Sequence, residues 1–178
     1  MALLKKLVFG LAGLVVAYYA IGLMLPSKFQ IQRSIVIEAS QQQIYAHVVD
    51  LKRWKAWGVW LKRDPNIELS YAGPDRAIGM RSEWKSETEG NGEMTITKLE
   101  RDRKVVYSMA FPDIEMASTG EIVLEPINGA TRVVWTDSGD LGSNITYKYF
   151  GLFMDRLIGP DFEDGLANLK TVAENSPD

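Results

Sequence analysis

Among the side chains able to do chemistry, Asp137 is placed most unusually. In "TRVVWTDSG" it shares strand parity with Val133 and Trp135, which sets a carboxyl on an otherwise apolar face. Buried there, it would hold its proton more tightly and could bind a ligand hydroxyl or act as an acid–base group. It also lies beside Gly139 near the strand end, where solvent or a backbone amide satisfies a carboxyl, and that structural role is favoured. His47 is the single histidine. It flanks the helical stripe Ile44, Val48, Leu51 without a clear acidic partner, so it builds neither a triad nor a usual zinc site. Glu83, Glu87, Glu89 and Glu93 cluster around Gly90-Asn91-Gly92. That glycine pair lacks the following helix and lysine of a phosphate cradle and reads as a hairpin turn. With no cysteine, thiolate catalysis, disulfides and cysteine-ligated metals are excluded. No catalytic constellation assembles, and no metal or cofactor is expected.

The stretch "RWKAWGVW" holds Trp54, Trp57 and Trp60, three of five tryptophans. Lys52, Arg53, Lys55, Lys62 and Arg63 surround them with no acid, a local reversal in a chain of formal net charge -3. Two uses fit. Trp54 and Trp57 can wedge short helices against a sheet and close a cavity, because large aromatic rings stabilise mainly by burial. The basic face, with Trp60, can point to an anionic membrane surface. Nucleic-acid stacking is the other standard use of such a segment. Neither the overall charge nor an exported location supports it, so no nucleic-acid partner is expected.

Export is read from the N-terminus. Leu7 to Leu25 is free of charge over 19 residues, a helix of about 28 Å against a hydrocarbon core of ~30 Å. Lys5 and Lys6 precede it, which favours the N-terminus in the cytoplasm. Residues 1–27 are therefore expected to be a single-pass anchor in the cell inner membrane, with residues 28–178 periplasmic or otherwise extracytoplasmic. A cleaved signal peptide is the weaker reading, since the run exceeds the usual h-region and its small residues make a poor cleavage site.

The remainder alternates in periods of two and then of 3.6. Phe29, Ile31, Arg33, Ile35 and Ile37 mark a half-buried strand. Ser40 caps a short helix over Gln41–Leu51, and the tryptophan segment forms a second. Six strand-like stretches follow, separated by Gly73-Pro74, Gly90-Asn91-Gly92, Arg101–Arg103, Pro112-Asp113 and Asn128-Gly129. The C-terminal stretch from Ser143 carries a helical stripe (Tyr147, Phe150, Met154, Leu157, then Phe162, Leu166, Leu169, Val172), with a bend or restart expected at Gly159-Pro160. The fold class is α+β: a curved, seven-stranded antiparallel sheet whose apolar face the long C-terminal helix must cover. Parity places Val105, Tyr107, Met109 and Phe111 on that face, with Met80, Ser82 and Trp84, Met94 and Ile96, and Ile122 and Leu124 in parallel rows. Methionines and large rings suit an adaptable apolar pocket.

This order, and the stretches "RSIVIEAS", "LKRWKAWGVWLKRDPN", "YAGP", "GNGEMTI", "VVWTDSGDLG" and "YFGLFMDRLIGPDFEDGLANLK", resemble the helix-grip fold of the START-like (SRPBCC) superfamily, in its polyketide cyclase/dehydrase and lipid-transport branch. The resemblance spans roughly residues 28 to 174, and the N-terminal anchor is similar to that of a subset of bacterial members. It implies a hydrophobic cavity for a lipid-like or polycyclic molecule, but no single reaction. The side chains expected to line it are Trp54, Trp57, Trp84, Met94, Tyr107, Met109, Phe111, Trp135, Asp137, Tyr147, Phe150 and Met154. Three functions stay open. The first is a binding protein whose partners are a hydrophobic small molecule and the membrane. The second is a cyclase- or hydrolase-like enzyme using Asp137 or a pocket tyrosine. The third is an interaction module with a filled core and an unidentified protein partner.

Overall fold

A computed structural model describes residues 1–176. Helix α1 (Ala2–Met24) is apolar around its whole circumference and almost wholly exposed. Only Leu25, Pro26 and Ser27 separate it from strand β1 (Lys28–Ile37). Helix α2 (Gln41–Val48) starts at a reciprocal cap: the Ser40 hydroxyl accepts from the Gln43 amide, and the Gln43 side chain accepts from the Ser40 amide. A 3₁₀ turn leads into two single-turn helices, α3 (Trp54–Trp57) and α4 (Trp60–Arg63). Six strands then run as a meander: β2 (Glu68–Ala72), β3 (Arg81–Lys85), β4 (Gly92–Glu100), β5 (Lys104–Phe111), β6 (Met116–Ile127) and β7 (Ala130–Asp140). All pairings are antiparallel, in the order β1-β7-β6-β5-β4-β3-β2, so β7 returns to pair with β1. The helix-grip architecture expected from the residues is the one observed.

The C-terminal helix differs from expectation in one respect. The break falls at Leu152-Phe153, between α5 (Ile145–Gly151) and α6 (Met154–Glu174), and α6 continues through Pro160. Arg33 explains this. Its guanidinium donates to Asp155 (2.8 Å) and Glu163 (2.6 Å), bracketing Gly159-Pro160 from β1. Any side chain at Gly159 would collide with that guanidinium. The bracket offsets in part the hydrogen bond that a helical proline forfeits.

Register lines up three rows of side chains across the concave face, and each has its own fate. The row Arg33–Trp135–Ile122–Val105 packs solidly under α6. In the row Ile31–Asp137–Gly120–Tyr107–Ile96, the Tyr107 ring occupies the space a Gly120 side chain would need. In the row Phe29–Gly139–Ser118–Met109–Met94–Ser82, the Phe29 ring covers Gly139 and the space above the remaining side chains is open. Ile37, Ile44, Tyr107, Trp135 and Leu169 are fully buried, and each such residue contributes roughly 1.5–3 kcal/mol of burial.

Candidate functional site

The unfilled row is the floor of a cavity of about 360 Å³ between the sheet, α6 and the α3–α4 segment. That volume is at the lower end of what small-molecule sites occupy. Trp54, Trp84, Met94, Met109, Phe111, Asp137, Phe150 and Met154 line it, as the strand parity and helix stripe suggest.

Four other expected residues do not. Trp57, Tyr107 and Trp135 are fully buried behind the wall. The Trp135 indole is the hub: it meets Trp57 at 5.3 Å, Trp54 at 5.9 Å, Trp60 at 6.0 Å and Phe162 at 4.1 Å between ring centres. Its N–H donates to the Tyr107 hydroxyl at 2.8 Å. Burial pushes the Tyr107 phenol well above its ordinary pKa, and its oxygen serves as the acceptor for the indole N–H. Parity identifies the face a residue shares but not its depth, and α6 closes over these three. Tyr147 is half-buried against the core outside the lining, and its hydroxyl donates to the Ile114 carbonyl at 3.3 Å.

Asp137 is 6 % exposed, and its carboxyl accepts from the Ser118 hydroxyl at 3.2 Å. Burial raises its pKa to about 6, and the Ser118 bond opposes the shift. The group is therefore half-ionised near pH 6 in an apolar chamber. In the cavity wall, Arg63 bridges Asp161 of α6 (2.9 and 3.0 Å) and Glu89 of the β3–β4 turn (3.0 Å). The Trp60 indole N–H also donates to Asp161, at 3.0 Å.

Trp60 and Arg63 thus lie in the wall and clasp of the cavity, where both bond Asp161. Spacing in the sequence does not reveal that pairing. Lys52 is paired with Asp75 and Arg53 lies near Asp50, while Lys55 and Lys62 are exposed. Sequence reasoning also missed Ser118 and the clasp. Ser118 had a usable signal, sharing the face of Ile122 and Leu124. Elsewhere His47 bonds Ser176 at 2.9 Å, tying α2 to the end of α6. Glu83 pairs with Arg81, and the described residues contain no cluster of metal-ligating groups.

The clasp makes a first prediction. Arg63 is half exposed, so Arg63→Ala should change stability by less than about 1 kcal/mol. It should nevertheless speed release of an apolar fluorophore several-fold, read by stopped flow. Unchanged release would show that the clasp does not guard the cavity.

Residues 28–174 match the family described as polyketide cyclase / dehydrase and lipid transport. The chain belongs to this family. As a member of the polyketide cyclase/dehydrase and lipid transport family, it shares its fold with solved structures of low identity. A Thermobifida fusca protein superposes with TM-score 0.62 at 18 % identity, covering 81 % of this chain and 92 % of that one. The Aha1 dimer from Colwellia psychrerythraea gives 0.56 at 20 %, covering 82 % and 96 %. Truncated norcoclaurine synthase from Thalictrum flavum gives 0.61 at 10 %, covering 84 % and 96 %. No curated protein matches the chain in sequence.

Proposed function

We propose that this chain is a membrane-anchored binding protein that holds a hydrophobic small molecule, lipid-like or polycyclic, between its sheet and α6. The observation that carries the reading is the apolar cavity with a single buried carboxyl at its floor. Desolvation of the ligand supplies affinity, and the Asp137–Ser118 pair orients its polar end. Helix α1 supports the anchor by length and composition. The lysines at its start favour an inner-membrane protein with residues 28–178 outside the cytoplasm.

The charges at the cavity narrow the ligand further. Asp137, Glu89 and Asp161 contribute three carboxyls, and the guanidinium of Arg63 is already shared between two of them. A free carboxylate entering this chamber would meet an acid at its floor and a neutralised cation in its wall. The fitting polar end is a hydrogen-bond donor, a hydroxyl or an amine. A free fatty acid fits poorly.

The test is native mass spectrometry of the full chain, extracted from its own cells in mild detergent, followed by solvent extraction of what travels with it. A near-stoichiometric apolar molecule bearing a donor group is the expected result. Ser118→Phe, which projects a ring into the chamber, should cut its retention by at least about ten-fold. An empty protein that also refuses neutral apolar fluorophores would end the binding reading.

A second reading, an acid–base enzyme, is favoured by one observation, the raised pKa of Asp137 inside the cavity. It requires that the extracted molecule be chemically altered on incubation and that Asp137→Asn abolish the change.

A further inference from the structure

We infer that the exposed apolar ridge of Ile114, Phe150, Leu152, Phe153 and Leu157 is a bilayer contact that seats the cavity mouth on the membrane, so that ligand passes directly between the lipid phase and the cavity. The inference rests on the reading of α1 as a membrane span.

Phe150, Leu152, Phe153 and Leu157 follow one another through the α5–α6 junction and are 45–56 % exposed. Ile114, at the tip of the β5–β6 connection, is 45 % exposed and is tied to α5 by the Tyr147 bond to its carbonyl. Ile114 and Phe150 also belong to the cavity wall. The ridge is therefore continuous with the cavity wall at Ile114 and Phe150. Five large apolar side chains gathered this way mark a contact site rather than the scattered exposure of a soluble surface.

The packing of α1 says what covers them. The Tyr18 ring stacks on Tyr149 with centres 4.8 Å apart and planes at 12°. The Tyr149 hydroxyl donates to the Tyr18 carbonyl at 2.9 Å, and the Tyr18 and Thr146 hydroxyls bond at 2.9 Å. A side chain at Gly22 would collide with Ile145, so glycine lets the two helices touch. Tyr18 stands about 10 Å of helix before the end of the charge-free run. Helix α5 consequently lies beside the last two turns of the span, at the depth where amphipathic helices bury ~5–10 Å into the headgroup boundary. The junction between α1 and β1 is too short for the domain to swing away, and it is fixed further by the Leu141 amide bonding the Ser27 carbonyl at 2.8 Å. Arg156, exposed one turn from Phe153, can reach headgroup phosphates from this position.

Because the chain has no cysteine, single labels are clean. The full chain is placed in vesicles of phosphatidylethanolamine and phosphatidylglycerol, with an environment-sensitive fluorophore on Phe153→Cys, Leu157→Cys, Val15→Cys or Ile127→Cys. Ile127 is also exposed, but it lies at the far end of β6 from the mouth. Labels at positions 153 and 157 should be quenched by lipids spin-labelled near the headgroup and be at least about five-fold less open to aqueous iodide than the label at 127. A label at 15 quenched from the acyl chains, with those at 153 and 157 as open to iodide as that at 127, overturns the inference and leaves the span intact. A label at 15 that no lipid quencher reaches removes the span and the inference together. As a second readout, Leu152→Glu with Phe153→Glu changes no cavity residue. Loading of a neutral apolar fluorophore from vesicles should slow at least about ten-fold, while its occupancy in detergent stays within about two-fold. Equal loading from vesicles overturns direct transfer.

Discussion

Trp135→Ala lowers the thermal midpoint of the protein by on the order of 10 °C or more, the largest effect expected of any single substitution outside the backbone. The ring is fully buried and touches three other tryptophans and Phe162. Removing a buried tryptophan costs about 3–5 kcal/mol, and the Tyr107 hydroxyl then loses its buried donor, which costs about 1–3 kcal/mol more. Against a total stability of roughly 5–15 kcal/mol, that loss approaches unfolding. Tyr107→Phe keeps the ring but strands the buried Trp135 N–H and should cost about 1–3 kcal/mol. Both are read from near-ultraviolet circular dichroism on heating. Had Trp135 lined the cavity, its removal would enlarge the chamber and alter ligand choice with little loss of stability. A midpoint within about 3 °C of wild type would support that alternative.

Asp137→Asn stabilises the protein above pH 6 and does nothing at pH 4. The carboxyl titrates at about 6 when folded, against an ordinary 3.8. A raised pKa means the folded state prefers the neutral acid. That advantage is full below about pH 4 and is lost as the pH rises through 6. The two-unit gap corresponds to about 3 kcal/mol, so wild-type stability should fall by that order between pH 4 and 7. An amide keeps the shape and the Ser118 bond without the charge, and it removes this slope. Chemical denaturation at pH 4.5, 6 and 7.5 measures it. Parallel midpoints for the two proteins at all three pH values would mean that Asp137 is hydrated and has its ordinary acidity.

The elements themselves were legible because period and punctuation are local properties. Alternation in "KVVYSMAF" and "TRVVWTDSG" and the glycine- and proline-rich breaks place β5, β7 and the meander turns. The helix break was misplaced because the cause is not local. Arg33, more than a hundred residues away, carries α6 over Pro160. The tryptophan segment shows the same division. Its residue types announce an aromatic cap, and Trp54 and Trp57 are indeed wedged against the sheet. The partners of its basic residues are not local: Arg63 pairs with Asp161 and Glu89, which no spacing within the segment reveals.

The sequence by itself determined the class of fold, the apolar N-terminal helix, the inward face of every strand but β2 and the singular position of Asp137, because alternation and charge-free length follow from backbone geometry alone. Only the tertiary structure decided which inward side chains bound empty space and which fill it. Trp135 and Met109 share the concave face, yet one is sealed under α6 while the other opens on the chamber. The difference is set by how far a helix from the other end of the chain reaches across the sheet, a distance that no local pattern encodes.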